Sequence, residues 1–195
     1  MANGIKIGNL DISAFKVGSA DTKVYLGDTL LYPTAPPSFN GKWLATYTGG
    51  TTSSAECDAS SAITRNEITK TDLVSVEIGD CVTSIGDEAF TMYSSLTSCT
   101  IGNSVTSIGD SAFYGCTSLT SCTIGSGVTS IVDLAFRNCT SLTSITVNAT
   151  TPPTIGIDVF SNTNNCTIYV PSASVNAYKS ASGWSDYASR IQAIP

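Results

Sequence analysis

The sequence predicts a mostly β solenoid with short helical turns, built from stacked coils of 23 residues. Residues 82–87 read VTSIGD, the same letters return at 105–110, and VTSIVD stands at 128–133. Each opening is followed at fixed spacing by Ala-Phe and then by Ser-Leu-Thr-Ser. A repeat of this length cannot bury its apolar residues alone, so consecutive copies are expected to stack on one another.

The repeat spacing sorts the apolar residues into rows that would line the core. They alternate with Ser and Thr, which is typical of a short strand with one buried face. The rows are Leu96, Leu119 and Leu142; Cys99, Cys122 and Ile145; and Ile101, Ile124 and Val147. The same spacing occurs one period earlier at Leu73, Val76 and Ile78. We therefore expect about four to five coils, the outermost ones degenerate.

The stretch VTSIGDSAFYGCTSLTSCTIGSG at 105–127 resembles the BspA-type leucine-rich repeat of bacterial surface proteins. The pattern of that family, L-x-x-[LI]-x-[IL], then V-x-x-I, then A-F, then C, is matched over residues 73–170. The resemblance implies a leucine-rich-repeat solenoid and a role in adhesion or display. It implies no particular chemistry, because a shared scaffold does not fix function.

A second, smaller repeat precedes the solenoid. Residues 5–9, 15–19 and 24–28 share the form apolar-x-apolar-Gly-polar, which predicts short strands ending in tight turns. Residues 1–32 would form a small β module that is too small to be stable alone, so we expect it to dock or oligomerise. The phrase KVYLGDTLLYP at 23–33 resembles N-terminal segments of virion proteins of phages that infect gut bacteria. The candidate attachment segment comprises Ile5, Ile7, Phe15, Val17, Val24, Tyr25, Leu26, Leu30 and Tyr32.

The remaining boundaries follow composition. Residues 33–38 form a Pro-rich linker, and 39–72 are expected to cap the N-terminal end of the solenoid, with a strand over 42–47. The repeats occupy 73–150. Residues 151–195 would form a degenerate last coil and a C-terminal cap. That cap is expected to contain a strand over 167–171 and a short helix capped by Ser172 or Ser174 and stopped by Gly183.

Composition excludes several classes of function. A net charge of -6 with only nine Lys plus Arg argues against nucleic-acid binding. No apolar run of about 18 residues is present, so membrane insertion is not expected, and the first residues do not resemble an export signal. The sequence contains no histidine, which removes histidine-based triads and imidazole ligands. We expect no enzymatic activity, no cofactor and no metal.

The seven cysteines are interpreted as thiols rather than as a disulfide framework, because no export signal is evident. Repeat spacing places Cys99 above Cys122 and Cys116 above Cys139. A free Cys behaves as a small buried hydrophobe, which suits a core row. A bridge between neighbouring coils is the alternative, since distance alone does not forbid it.

Asp87, Asp110 and Asp133 share one repeat position. A row of carboxylates could hold Ca²⁺, although the other oxygen ligands of a calcium loop are missing. We interpret each aspartate as the cap of a short helical turn that begins at the following Ala-Phe.

The exposed positions of the strands predict a flat, hydroxyl-covered surface. It comprises Thr97, Ser98, Thr100, Thr120, Ser121, Thr123, Thr143, Ser144 and Thr146. Such a surface could bind a glycan or a partner protein, or it could simply be the soluble face of exposed strands. Tyr93, Tyr114 and Arg137, on the outer side of the coils, are an alternative contact patch.

These expectations combine into one functional hypothesis. The protein would be a non-enzymatic phage virion accessory protein, a head or tail fibre or a capsid decoration, assembled in the host cytoplasm. Its N-terminal module would bind other virion proteins and form a homo-oligomer, with a trimer as one option. Its solenoid would bind a bacterial surface protein or glycan, or mucus. The alternative is a secreted or cell-surface adhesion protein of the BspA type.

Overall fold

A computed structural model describes residues 6–7, 10–11, 25–26, 29–30, 41–57, 62–65, 67–68 and 72–195. The chain divides into two compact units, Met1–Ser38 and Phe39–Pro195.

The described part of the first unit consists of two small hairpins. Strand β1 is Lys6–Ile7, β2 is Leu10–Asp11, β3 is Tyr25–Leu26 and β4 is Thr29–Leu30. β1 pairs antiparallel with β2, and β3 pairs antiparallel with β4. These pairings join residues on either side of positions 8–9 and 27–28, where the sequence predicted Gly-containing turns. The third predicted element, at 15–19, lies outside the described residues.

The second unit is a solenoid with two sheets on different sides of one core. Its strands are β5 Trp43–Tyr47, β6 Thr52–Ala55, β7 Ala62–Ile63, β8 Leu73–Ile78, β9 Ser84–Ile85, β10 Ser98–Ile101, β11 Ser107–Ile108, β12 Ser121–Ile124, β13 Ser130–Ile131, β14 Ser144–Val147, β15 Thr154–Ile155, β16 Thr167–Val170 and β17 Ile191–Ala193. The larger sheet has the order β17-β16-β14-β12-β10-β8-β5-β6, and the smaller has β15-β13-β11-β9-β7.

Strand pairing follows the sequence repeat. Cys99 lies opposite Cys122, and Ile101 opposite Ile124, in parallel register. The mostly β solenoid predicted from the sequence is therefore confirmed. Six parallel strands, from β8 to β17, contribute to the larger sheet, so the ladder extends beyond the repeats that the sequence makes obvious. β7 likewise joins the smaller sheet ahead of the first clear repeat.

A column of aromatic rings runs through the core. Phe90, Phe113, Phe136 and Phe160 stack at centroid distances of 5.0, 5.1 and 5.8 Å, with rings nearly parallel. All four side chains are buried. The column ends against Trp184, whose ring lies 6.0 Å from that of Phe160. Identical residues at one repeat position thus become direct neighbours and exclude water along the solenoid axis.

The Ala-Phe segments form stacked β-turns rather than helical turns. In the first coil the N–H of Thr91 donates to the carbonyl of Glu88 at 3.1 Å, and that of Tyr93 to Phe90 at 3.3 Å. Glu88 has φ 56°, which interrupts any helix. The Phe90 N–H donates instead to Ala112 of the next coil at 2.7 Å. A third ladder of backbone hydrogen bonds therefore joins the coils.

An antiparallel hairpin covers the N-terminal end of the larger sheet. β5 pairs with β8, and its alternating buried residues Trp43, Ala45 and Tyr47 confirm the strand predicted at 42–47. Lys42 is only 3% exposed, and its Nζ lies 2.9 Å from Glu67 Oε1. The same carboxylate accepts hydrogen bonds from Trp43 Nε1 and from the Thr64 N–H. Glu67 thus satisfies one buried charge and two further donors at this end.

A disulfide joins this hairpin to the first repeat, which corrects the interpretation of all seven cysteines as thiols. Cys57 follows β6 and Cys81 follows β8, and their sulfurs are bonded with the Cα atoms 6.0 Å apart. Antiparallel pairing of β5 with both β6 and β8 brings these two chain segments together. The pairing is invisible to the repeat period because Cys57 lies outside it.

The C-terminal end is closed by short helices that follow β16. They are a 3₁₀ helix Ser172–Ser174, an α-helix α1 Val175–Ser180 and a 3₁₀ helix Trp184–Arg190. No side-chain capping bond forms at either predicted serine; Ser174 Oγ instead donates to the Thr150 carbonyl at 2.7 Å. Trp184 Nε1 donates to the Pro153 carbonyl at 2.7 Å. None of the helices found in the described ranges could cross a membrane.

Replacing both Cys57 and Cys81 by Ser should lower the free energy of unfolding by about 3 kcal/mol. The bond closes the loop between the two cysteines and so lowers the conformational entropy of the unfolded chain. Urea denaturation of the oxidised protein and the double variant measures the difference. Hydrogen exchange should show the loss concentrated in β6. Equal unfolding midpoints for the two proteins would contradict the prediction.

Candidate binding surfaces

The outer face of the larger sheet is an ordered array of hydroxyl groups. Along each strand, buried residues alternate with outward ones, so outward positions of successive strands align. In register they form two rows: Ser75, Ser98, Ser121, Ser144 and Thr167; and Glu77, Thr100, Thr123, Thr146 and Tyr169. Six of the nine predicted surface residues lie in these rows: Ser98, Thr100, Ser121, Thr123, Ser144 and Thr146.

The other three predicted residues, Thr97, Thr120 and Thr143, precede the strands and have a structural role. Their hydroxyls donate to the carbonyls of the equivalent residue one coil earlier, at 2.9, 2.9 and 3.0 Å. Each hydroxyl is therefore already committed as a donor and retains only acceptor capacity for a ligand. The structure thus divides the predicted surface into two outward rows and one row that joins the coils.

Tyr169 is a residue of this face that sequence reasoning missed. It lies opposite Thr146 in the parallel pairing of β14 with β16 and is half-buried. Tyr169 stands 23 residues after Thr146, so continuing the repeat count into the degenerate coil would have found it. One of the two rows therefore reaches an aromatic ring on β16, a group that can stack on the apolar face of a sugar or of a partner side chain.

The alternative patch on the outer turns is largely occupied by internal contacts. The Tyr93 hydroxyl donates to the Ile68 carbonyl, and burial raises the pKa of this tyrosine. The Tyr114 hydroxyl accepts from Asn138 Nδ2 at 3.0 Å. Arg137 Nη1 lies 2.6 Å from Asp158 Oδ2. These three residues brace neighbouring coils, and the structure does not assemble them into one free surface.

The prediction that the Asp row caps helical turns is wrong, because the segments that follow are β-turns and two of the three carboxylates bind the next coil. Asp87 Oδ1 accepts the N–H of Asp110 at 2.8 Å, and Asp133 Oδ1 accepts that of Ile157 at 2.8 Å. Close approach requires glycine in the receiving coil, since a Cβ on Gly109 would lie 2.5 Å from Asp87 Oδ1. Val132 stands at the corresponding position of the third coil, and Asp110 makes no such bond.

The structure describes four of the nine candidate attachment residues, and it shows no group of metal-binding side chains in the part of the chain that it describes. Over the described ranges from residue 41 onward, no three His, Cys, Asp or Glu side chains form a group that could hold a metal ion. Ile7, Tyr25, Leu26 and Leu30 of the attachment segment lie in β1, β3 and β4. The rest of that segment, Ile5, Phe15, Val17, Val24 and Tyr32, lies outside the described residues.

The cysteines of the repeat rows are free and buried, as predicted: Cys99, Cys116, Cys122 and Cys139, together with Cys166 of the last coil. Cys116 Sγ donates to the Phe90 carbonyl at 3.1 Å, and Cys139 Sγ to the Phe113 carbonyl at 3.1 Å. Burial raises the pKa of Cys99 well above its ordinary range. The pKa of Cys116 is also raised well above its ordinary range, chiefly by the adjacent Cys139 thiol and secondly by burial. These thiols fill the core and are unreactive there.

A groove of about 320 Å³ lies where the repeat period breaks at Thr151-Pro152-Pro153. Its other lining residues include Ser126, Thr129, Ala149 and Thr154. The Thr154 hydroxyl donates to the Thr129 carbonyl at 3.3 Å, so two of the lining residues are hydrogen-bonded to each other.

Residues 61–182 match the family model described as the BspA type leucine rich repeat region, in six copies. The chain belongs to the BspA-type leucine-rich repeat family. Five of the six parallel strands of the larger sheet, β8 to β16, lie within the matched residues. Membership supports a surface or adhesion type of repeat protein, since leucine-rich repeats of this kind generally serve binding.

Among solved structures, the chain is similar to a T. pallidum leucine rich repeat protein (TpLRR). The two are 30% identical with a TM-score of 0.47, and the match covers 51% of this chain and 49% of the other. The chain thus spans about half the length of that relative. No curated protein matches the sequence.

Replacing Asp87 by Ala should lower the free energy of unfolding by about 1 kcal/mol, because the Asp110 N–H loses its acceptor. The matched control is Asp110→Ala, at the same repeat position, where no equivalent bond exists; its effect should stay within about 0.5 kcal/mol. Urea unfolding of both variants decides. Equal losses would show that the carboxylate bond contributes nothing.

Stability should also fall in alkaline solution. Burial raises the pKa values of Cys99 and Cys166 above the ordinary 9.0, so the folded protein holds these protons to higher pH than the unfolded chain does. The free energy of unfolding should therefore be flat below about pH 8 and decline as the pH rises past 9. Cys99→Val, the residue type found one coil earlier at Val76, should make the decline shallower. Identical pH profiles for the two proteins would contradict this origin.

Proposed function

We propose that this protein is a non-enzymatic binding protein displayed outside the cell, and that its solenoid contacts a bacterial surface or mucus. The observation that carries the proposal is the Cys57–Cys81 disulfide on a BspA-type solenoid. Disulfides persist on cell surfaces, on virions and in secreted proteins, and they are rare in reducing compartments.

The contact surface we propose is the outer face of the larger sheet. Its two rows of outward residues keep their spacing over successive coils, and the row that contains Thr100, Thr123 and Thr146 reaches Tyr169. A flat face of this kind offers hydroxyl donors and acceptors at regular intervals, which suits an extended glycan or an extended strand of protein. The charged groups on this face are few, so desolvation upon binding is inexpensive relative to a charged surface.

Binding of the labelled full chain to intact bacteria and to immobilised mucin tests the proposal. Saturable binding is expected, and a variant with Thr100→Glu and Thr123→Glu should weaken it by about tenfold. The matched control carries the same charge change at Thr117 and Thr140, which are exposed outside the sheet. The absence of saturable binding would contradict the adhesive role. Equal weakening by both variants would contradict the choice of face.

Whether the protein is attached to a phage particle or to a cell surface is a separate question, and we propose the phage particle. In the virion form, which the resemblance of residues 23–33 favours, the particle is assembled in the host cytoplasm and the first unit binds other virion proteins. The distinct compact unit Met1–Ser38 suits an attachment module of this kind. In the cell-surface form, the protein is exported and its disulfide closes during export. Immunogold labelling of a producing culture separates the two: gold on phage particles supports the first, and gold on cell envelopes the second.

A further inference from the structure

One edge of the solenoid changes character between the coils of β9 and β11 and those of β13 and β15. Three positions follow the Ile that ends each of these four strands. They read Gly86-Asp87-Glu88 and Gly109-Asp110-Ser111, then Val132-Asp133-Leu134 and Gly156-Ile157-Asp158. The early coils are therefore entirely polar at this edge. The later coils place three aliphatic side chains there: Val132, Leu134 and Ile157, named here the edge patch.

The scaffold does not favour these replacements. Val132 occupies the position at which glycine lets the preceding carboxylate reach a backbone N–H, and Asp110 consequently lacks the bond that Asp87 and Asp133 make. Leu134 stands at a position with φ near 59° that the other coils fill with Glu88, Ser111 and Asp158, so only its apolar side chain departs from the pattern. Departures from a repeat's own pattern that lower stability are expected at functional positions.

The three residues lie on two chain segments that are hydrogen-bonded to each other on consecutive coils. The Leu134 N–H donates to the Ile157 carbonyl at 3.0 Å, and Asp133 Oδ1 accepts the Ile157 N–H at 2.8 Å. Ile157 is 70% exposed and Val132 is 36% exposed, whereas the apolar residues at neighbouring repeat positions are buried. Exposed aliphatic groups gathered in this way are typical of an interaction site.

Charge around the edge patch indicates what it binds. Asp110, Asp133 and Asp158 border it on consecutive coils. Arg137 is the neighbouring cation, and it is already paired with Asp158 at 2.6 Å. The border is therefore negative, and a docking partner gains most if it brings positive charge.

We propose that the edge patch is a second binding surface, which takes a protein segment presenting an aliphatic side chain next to Lys or Arg. The aliphatic group would bury the side chains of Val132 and Ile157, and the cation would meet Asp110, whose carboxylate the scaffold leaves unused. This surface lies on the smaller-sheet side of the coils and uses none of the hydroxyl rows proposed for adhesion.

The test uses the full chain and a variant built from its own repeat. Val132→Gly, Leu134→Ser and Ile157→Asp each introduce the residue that another coil carries at the same position: Gly109, Ser111 and Asp133. The triple variant should therefore fold, and circular dichroism and urea unfolding verify this. The control is the sheet-face variant Thr100→Glu with Thr123→Glu.

A library of random peptides displayed on yeast is sorted against the full chain. Peptides that pair aliphatic residues with Lys or Arg should be enriched, and they should bind the triple variant about tenfold more weakly while binding the sheet-face variant unchanged. A failure to enrich such peptides, or their equal binding to the triple variant, would overturn the proposal.

Two further measurements distinguish failure of the edge-patch proposal from failure of the adhesion proposal. Light scattering measures the mass of the full chain and of the triple variant; a lower mass for the variant would show that the edge patch binds a second copy of the chain, which also overturns the peptide proposal. Mucin and cell binding is measured on the same proteins. Because it depends on the other face, it should persist in the triple variant, so failure at one surface does not decide the other.

Discussion

The structure depends on hydrogen bonds between equivalent positions of consecutive coils. The backbone N–H groups of Thr97, Thr120 and Thr143 each donate to the carbonyl one coil earlier, at 2.7, 2.9 and 3.0 Å. The threonine hydroxyls of the same row repeat the connection. Because every coil relies on its neighbours in this way, the two terminal coils would expose unpaired backbone and open core. The β5–β6 hairpin covers the N-terminal coil, and the helices around Trp184 cover the C-terminal coil.

The core of the solenoid could be predicted because one constraint governs it. A fixed period places like residues in register, so the Leu and Phe rows and the buried Cys99 and Cys122 follow from counting. The alternation of Trp43, Ala45 and Tyr47 was readable for the same reason: a strand with one buried face must alternate. Membership of the BspA-type family rests on the same repeated letters.

Features that depend on contact between different parts of the repeat could not be read from the period. Cys57 and Cys81 meet because a hairpin folds back on the first repeat, and no spacing rule relates them. The role of the Asp row was misread because the sequence suggested contacts within one coil, whereas the carboxylates reach across to the next. The departure at Val132 was visible in the letters, but its meaning required knowing that the position needs glycine.

The pairing of Asp with a glycine in the following coil makes the repeats unequal as building units. Each of these coils can pack on the preceding one partly because Gly109 or Gly156 has no Cβ, which would clash with the aspartate carboxylate there. The dependence has a direction: it runs from Asp87 and from Asp133 to the coil that follows each of them in sequence. Removing or duplicating a coil is therefore neutral only if the new junction again sets a glycine against an aspartate. Natural changes in array length should accordingly be constrained at the boundaries between coils more than within them.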